Sequence, residues 1–274
     1  MRKFLVVFSI LALALAFGSP VSAAETLMMA TTTSTDDTGI LEYLAPEFQK
    51  DTGIELKWTG VGTGKALEMG KNCDVSVLLV HAPSAEKKFV DAGYGVDRRL
   101  VMYNDFIIIG PESDPAKTKG LGVVEALKAI AGSKAPFISR GDKSGTHVME
   151  LSLWKEAGLD VQDKADWYVQ AGQGMLAVIN IAGEKNGYTL TDRGTYIKYE
   201  NTHQGAPPLK ILVEKDKALF NQYSVIAVNS VKCKDARQDL ATKFADWLVS
   251  EKAQKMIADF KLLDKQLFTP NAAK

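Results

Sequence analysis

The chain has 274 residues, 46% of them apolar and 24% charged, an ordinary globular composition. Its 33 basic and 33 acidic residues balance, so it lacks the basic excess that a nucleic-acid partner calls for. The three histidines, His81, His147 and His203, are scattered without metal-ligand spacing.

Met1, Arg2 and Lys3 lead into an apolar run from Phe4 to Phe17, then Gly18, Ser19, Pro20 and Val21-Ser22-Ala23. A basic start, a short apolar run and a small-residue cleavage site read as a secretory signal peptide over residues 1–23. The run is shorter than the roughly 20 residues a membrane span requires. No cysteine lies beside the cleavage site, so a lipid anchor is not indicated and the expected location is the periplasm. The remaining chain, about 250 residues, is long enough for one large domain or two smaller ones with real cores. With Arg2 and Lys3 removed, 31 basic residues face 33 acidic ones, so an anion site must be local.

Leu27 to Ala30 is a short strand candidate. Thr38 to Lys50 carries Ile40, Leu41, Leu44, Ala45 and Phe48 at helical spacing and ends at Asp51-Thr52-Gly53. Ile54, Leu56 and Trp58 alternate as a half-buried strand does. Val75 to Val80 is apolar except for Ser76, typical of a central parallel strand. Pro83 to Ala92 is helical, Phe106 to Ile109 a strand, Val123 to Ala131 a helix, and Pro136 to Ser139 a strand. Helices follow at Ser144 to Ala157 and Met175 to Glu184, a strand at Tyr223 to Val228, and a helical stretch at Ala236 to Phe260 with a break near Ser250. The alternation predicts an α/β fold with mainly parallel sheets flanked by helices. Cys73 and Cys233 pair or remain separate thiols according to a distance that the sequence does not give.

Three strand-to-helix junctions share one chemistry. In Thr31-Thr32-Thr33-Ser34-Thr35 a strand ends, hydroxyls crowd, and a helix begins. Helix N-termini present unpaired N–H groups and a partial positive charge, and hydroxyls add donors, so this is a ready oxyanion cradle. Plain N-capping is the competing account, although one cap needs only one such residue. Gly60-Val61-Gly62-Thr63-Gly64-Lys65-Ala66 resembles a phosphate loop but lacks its spacing and its metal-binding hydroxyl. It reads either as a glycine-rich turn or as a close backbone approach to a ligand with Thr63 at the helix start. Ser139-Arg140-Gly141-Asp142-Lys143-Ser144-Gly145-Thr146-His147 adds a guanidinium fork suited to oxyanions, unless Arg140 is engaged by Asp142. Thr191 either reaches the same ligand or caps a helix. His147 reads as a solvated helix residue, and Trp58, Trp154, Trp167 and Trp247 as core.

Thr31-Thr32-Thr33-Ser34, Val61 to Leu67, Val77 to Pro83 (with His81), Met102-Tyr103-Asn104-Asp105-Phe106, Ser139-Arg140-Gly141-Asp142 with Ser144-Gly145-Thr146, and Tyr188 to Asp192 run in order through the chain. Together they resemble the substrate-binding component of the Tup-type tungstate ABC transporter. The resemblance implies a two-lobed type II periplasmic binding-protein fold, with lobe I at residues 24–103 plus 231–274, lobe II at 104–230, and the ligand cleft between them. It also implies a monomeric, non-enzymatic carrier without a cofactor that delivers tungstate to a membrane permease. Tungstate is a full dianion at neutral pH, so the implied cage consists of donors: Thr32, Thr33, Ser34, Thr63, Arg140, Ser144, Gly145 and Thr146. Nothing in this set separates tungstate from molybdate. Binding proteins for molybdate, sulfate or phosphate remain alternatives, and so does a secreted phosphoesterase, although no motif pairs a nucleophile with a base.

Overall fold

The computed structural model describes residues 25–161 and 166–272; the expected signal peptide at residues 1–23 lies outside them. Among these residues no helix is long and apolar enough to cross a membrane. The first elements are β1 (Glu25–Thr32), α1 (Thr33–Asp36), α2 (Ile40–Thr52), β2 (Ile54–Val61), α3 (Thr63–Lys71), β3 (Val77–Val80) and α4 (Pro83–Asp91). The long β4 (Gly95–Pro111) leads to α5 (Val123–Ser133), β5 (Phe137–Ser139), α6 (Gly145–Glu156) and β6 (Tyr168–Gln170). Then come α7 (Met175–Glu184), β7 (Thr189–Asp192), α8 (Arg193–Thr202), β8 (Leu209–Val213) and β9 (Phe220–Val228). The chain closes with α9 (Gln238–Leu248), α10 (Glu251–Asp259) and the short strands β10 (Lys261–Leu262), β11 (Lys265–Gln266) and β12 (Thr269–Pro270). Ser250 caps α10 and makes the expected break in the last helical stretch.

The main sheet runs β12-β4-β9-β3-β1-β2. Alternation along its strands sends side chains to opposite faces. Leu27 and Met29 of β1 and Val77 and Leu79 of β3 enter a core closed by α2, α9 and α10. Ala30, Leu78 and Val80 face the other way, onto α3 and α4. A second pair of cores forms around the far end of β4. Phe106 and Ile108 pack with Phe137, Trp154 and Leu190, while Ile107 and Ile109 pack with Ile138, Val178 and Tyr196. These cores define two lobes joined by β4.

The expectation of mainly parallel sheets is corrected. β1 is parallel to β2 and β3, and β5 to β6, but β9 runs antiparallel to β3 and β4, and β4 antiparallel to β7 and β8. A continuous apolar run reports burial on both faces, and a buried antiparallel strand satisfies that equally well. β4 itself is far longer than the expected Phe106–Ile109. Its first half, with Asp97, Arg98 and Arg99, is half-exposed and irregularly paired, so it carries no clean period-two pattern. Tyr223, Val225 and Ala227 of β9 belong to the first core. Cys73 and Cys233 form a disulfide, with Cα atoms 5.3 Å apart, that ties the end of α3 to the segment after β9.

Candidate functional site

The hydroxyl run sits where β1 ends, on the edge of the first core. Thr32 caps the short α1, its Oγ1 accepting from the Thr35 N–H at 3.2 Å. The turn is pinned from below: Trp58 Nε1 donates to Asp36 Oδ1 at 2.6 Å, and the Asp36 carboxylate lies over Gly60. A Cβ at Gly60 would come within 2.7 Å of that carboxylate, so this glycine serves the hydroxyl turn by making room for its anchor.

Behind the turn lies a closed ring of polar side chains. Thr32 Oγ1 lies 2.6 Å from Thr35 Oγ1 and 3.0 Å from His81 Nε2, and Ser34 Oγ is 3.4 Å from the same nitrogen. His81 Nδ1 lies 2.9 Å from Asn221 Oδ1, and Asn221 Nδ2 donates to Asn104 Oδ1 at 2.8 Å. Both amides reach the hydroxyl of Tyr223, which also bonds Thr35 and stacks under His81. With the Asn221 nitrogen turned to Asn104, its oxygen accepts the Nδ1 proton of His81. The neutral imidazole therefore offers Nε2 to the hydroxyls as a lone pair. Burial pushes the imidazole below its ordinary pKa, against the Asn221 hydrogen bond and the nearby Asp192 charge.

The Arg140 loop is built differently. β5 and β6 run parallel, and Gly141, at φ 62°, lies against Gln170 so closely that a Cβ would approach 2.8 Å. Arg140 Nη2 pairs with Asp142 while its buried Nε has no hydrogen-bond partner among the described residues. Asp142 also accepts from Ser144 N at 3.0 Å. Burial alone would raise the Asp142 pKa, but the bonds from Ser144 and Arg140 outweigh it and hold the carboxyl below its ordinary range. Ser144 caps α6 through the His147 N–H, leaving Gly145 and Thr146 at the helix start, where N–H groups have no intrahelical acceptor. Beneath this loop, Glu150 receives hydrogen bonds from Tyr168, Trp154, Ser139 and the Arg140 backbone. Desolvation dominates those bonds and raises its pKa to about 7.

Of the expected residues, the structure therefore gathers Thr32 and Ser34 on one ring, and Arg140, Ser144, Gly145 and Thr146 on one loop. Thr33 is exposed beside the ring, and Thr63 opens α3, whose N-cap Gly62 makes no side-chain bond. Thr32 is buried, with its hydroxyl engaged inward. Thr191 is buried in β7, where Asp192 rather than Thr191 caps α8. His147 is corrected: it is 6% exposed, accepts the Lys143 N–H at Nδ1, and its Nε2 lacks a partner among the described residues. Trp154 and Trp247 are core as expected, while Trp58 is half-buried and serves Asp36. His81, Asn104 and Asn221 were missed as a unit because 140 residues separate His81 from Asn221 and only the β3–β9–β4 pairing unites them. Among the described residues no group of His, Cys, Asp and Glu could hold a metal cation.

Comparison with known proteins agrees with this architecture. A family model described as a PBP superfamily domain matches residues 19–252. A tungstate-binding protein, TupA, of Campylobacter jejuni subsp. jejuni is 55% identical over 239 residues, covering 87% of this chain and 88% of that protein. A protein of the same name from Peptoclostridium acidaminophilum is 50% identical over 257 residues, 92% of this chain and 88% of its own length. The solved structure of the tungstate-binding protein TupA from Desulfovibrio alaskensis G20 superposes with a TM-score of 0.89 at 64% identity, covering 91% of this chain and all of that one. With two lobes joined through β4, donor-lined junctions at strand ends and relatives alike over most of their length, this chain belongs to the PBP superfamily and, within it, to the Tup-type substrate-binding proteins.

Proposed function

We propose that the protein binds tungstate as a dianion between its two lobes in the periplasm and delivers it, as a monomer, to an ABC transporter permease for uptake. The observation that carries this reading is the presence of one donor-rich strand end on each of two separate cores. One carries hydroxyls, and the other a guanidinium whose buried Nε has no hydrogen-bond partner among the described residues. An oxide oxygen of the anion satisfies that nitrogen, as buried polar groups require. Thr32, Thr33, Ser34 and Thr63 supply one side of the cage, and Arg140, Ser144, Gly145 and Thr146 the other, all as donors to oxygen. Charge-assisted bonds of about 1.5–3 kcal/mol each, less the cost of closing the lobes, bring the affinity to the order of nanomolar. Closing around the anion stabilises the form that the permease recognises.

The proposed lobes are residues 24–103 with the C-terminal segment, and the intervening chain. The first crossing lies near residue 104, and the packing of Tyr223, Val225 and Ala227 in the first core supports a second crossing just before Phe220 rather than at 230. Molybdate is a second candidate, nearly equal in size and charge, whereas sulfate is smaller and phosphate carries a proton that needs an acceptor. Isothermal titration of the mature protein with tungstate, molybdate, sulfate and phosphate tests the reading. Tungstate is expected to bind in the nanomolar range with sulfate and phosphate far weaker; equal or tighter phosphate binding would overturn it.

A further inference from the structure

The ring behind the hydroxyl turn holds one titratable imidazole, and its hydrogen-bond logic has a consequence for an anion in front of it. A hydroxyl carries a single proton. Thr32 Oγ1 accepts from the Thr35 N–H, and the lone pair of neutral His81 Nε2 stands 3.0 Å away, with Ser34 Oγ next at 3.4 Å. That lone pair draws a hydroxyl proton inward. If Nε2 instead takes a proton from the solvent, it becomes a donor, the hydroxyl oxygens become its acceptors, and their own protons are free to turn outward. A dianion gains twice from the second arrangement, through an extra hydroxyl donor and through a cation behind the cradle.

We propose that His81 is a positioning residue for the oxyanion cradle: occupation by a dianion turns Nε2 from acceptor to donor, so that binding takes up a proton and release returns it. The inference rests on the functional reading above. The proton comes from bulk water and adds to the Nε2 lone pair, and no other bond is made or broken. Thr32, Ser34 and Thr35 face the ring from β1 and α1, Asn221 and Tyr223 from β9, and Asn104 from β4. Asp192, at the start of α8, is the nearby charge that favours the imidazolium, and burial opposes it. Glu86 of α4 accepts the neighbouring Ala82 N–H, and its charge is matched by Arg98 at 2.8 Å. The free protein thus keeps His81 neutral near pH 7, and two added negative charges tip the balance.

The test is calorimetric titration of the whole mature protein with sodium tungstate, between pH 7 and 9, in buffers of differing ionisation enthalpy. The wild type is expected to take up as much as one proton per tungstate, and its affinity to fall by as much as about tenfold per pH unit. His81→Gln, which keeps a neutral acceptor, is expected to bind more weakly and without that share of the slope. Asn221→Asp, which places a carboxylate against Nδ1, is expected to carry the slope to higher pH. Ring-proton NMR of the three histidines in the wild type reads the same event without a variant: His81 should be neutral in the free protein and charged in the saturated one at the same pH. Tungstate binding with buffer-independent heats and an unchanged His81 signal overturns the inference alone. Absence of tungstate binding overturns the functional reading and the inference with it.

Discussion

The hydroxyl turn and the Arg140 loop, the two walls of the proposed anion site, are built on opposite electrostatic plans. The donors of the turn are uncharged hydroxyls, ordered by a ring of amides, a phenol and a neutral imidazole. The loop is built on charge, with the Arg140 guanidinium ion-paired to Asp142 and the buried Glu150 accepting the Arg140 backbone N–H beneath it. Their mechanical support differs as well. The first lobe is clamped by Cys73–Cys233, which fixes the end of α3 to the segment following β9, the strand that carries Asn221 and Tyr223. The loop is held by the Arg140–Asp142 ion pair, by its hydrogen bonds and by the contact of Gly141 with Gln170. In the proposed site the first lobe supplies positioned neutral donors and the second a charged one.

Arg140→Ala breaks the comparison most sharply. Removing the proposed charged partner of the anion is expected to weaken tungstate binding by about 30-fold or more, at least ~2 kcal/mol, with little change in melting temperature. Calorimetry giving an affinity within threefold of wild type would remove Arg140 from the site. The disulfide comes next. Replacing Cys73 and Cys233 together by serine is expected to cost about 2–5 kcal/mol of stability in denaturant melts, since the bridge closes a long loop, while tungstate affinity stays nearly constant. A large loss of affinity at full folding would mean that the bridge shapes the hydroxyl turn directly.

The smallest effect concerns Glu150. Its pKa of about 7 lies above the ordinary carboxylate value because burial disfavours the charge. The fold therefore favours the protonated acid. The stability this contributes is complete below the ordinary carboxylate range and is lost as pH rises through about 7. Wild type is expected to lose about 1–3 kcal/mol between pH 5 and 8 relative to Glu150→Gln, measured by urea unfolding at each pH. Parallel curves would show that the four donors around the carboxylate fully offset its burial.

Much of this was legible in the sequence. Hydroxyls packed between an apolar run and an amphipathic stretch can only end a strand and begin a helix, and the same holds for Ser139 to Thr146. These elements are local, and their hydrogen bonds close within a few residues, as at Thr32 with Thr35 and at Ser144 with His147. The Gly60 segment shows the limit of local reading: the sequence leaves a glycine-rich turn and a close approach to a ligand both open, and only the fold sets the Asp36 side chain against Gly60.

By itself the sequence determined the helices α2, α4 to α7, α9 and α10, the strands β1, β2, β3, β5 and β9, the three strand-to-helix junctions and, through its resemblance, the family, but not β6, α8 or β8. Only the tertiary structure decided the strand directions, the pairing of Cys73 with Cys233, the inward turn of Thr32, the burial of His147 and Glu150, and the ring that joins His81 to Asn221 and Asn104. The reason is range. Capping and periodicity act over a turn or two of chain, whereas direction, desolvation and a ring spanning β1, β3, β4 and β9 depend on which distant strands lie side by side.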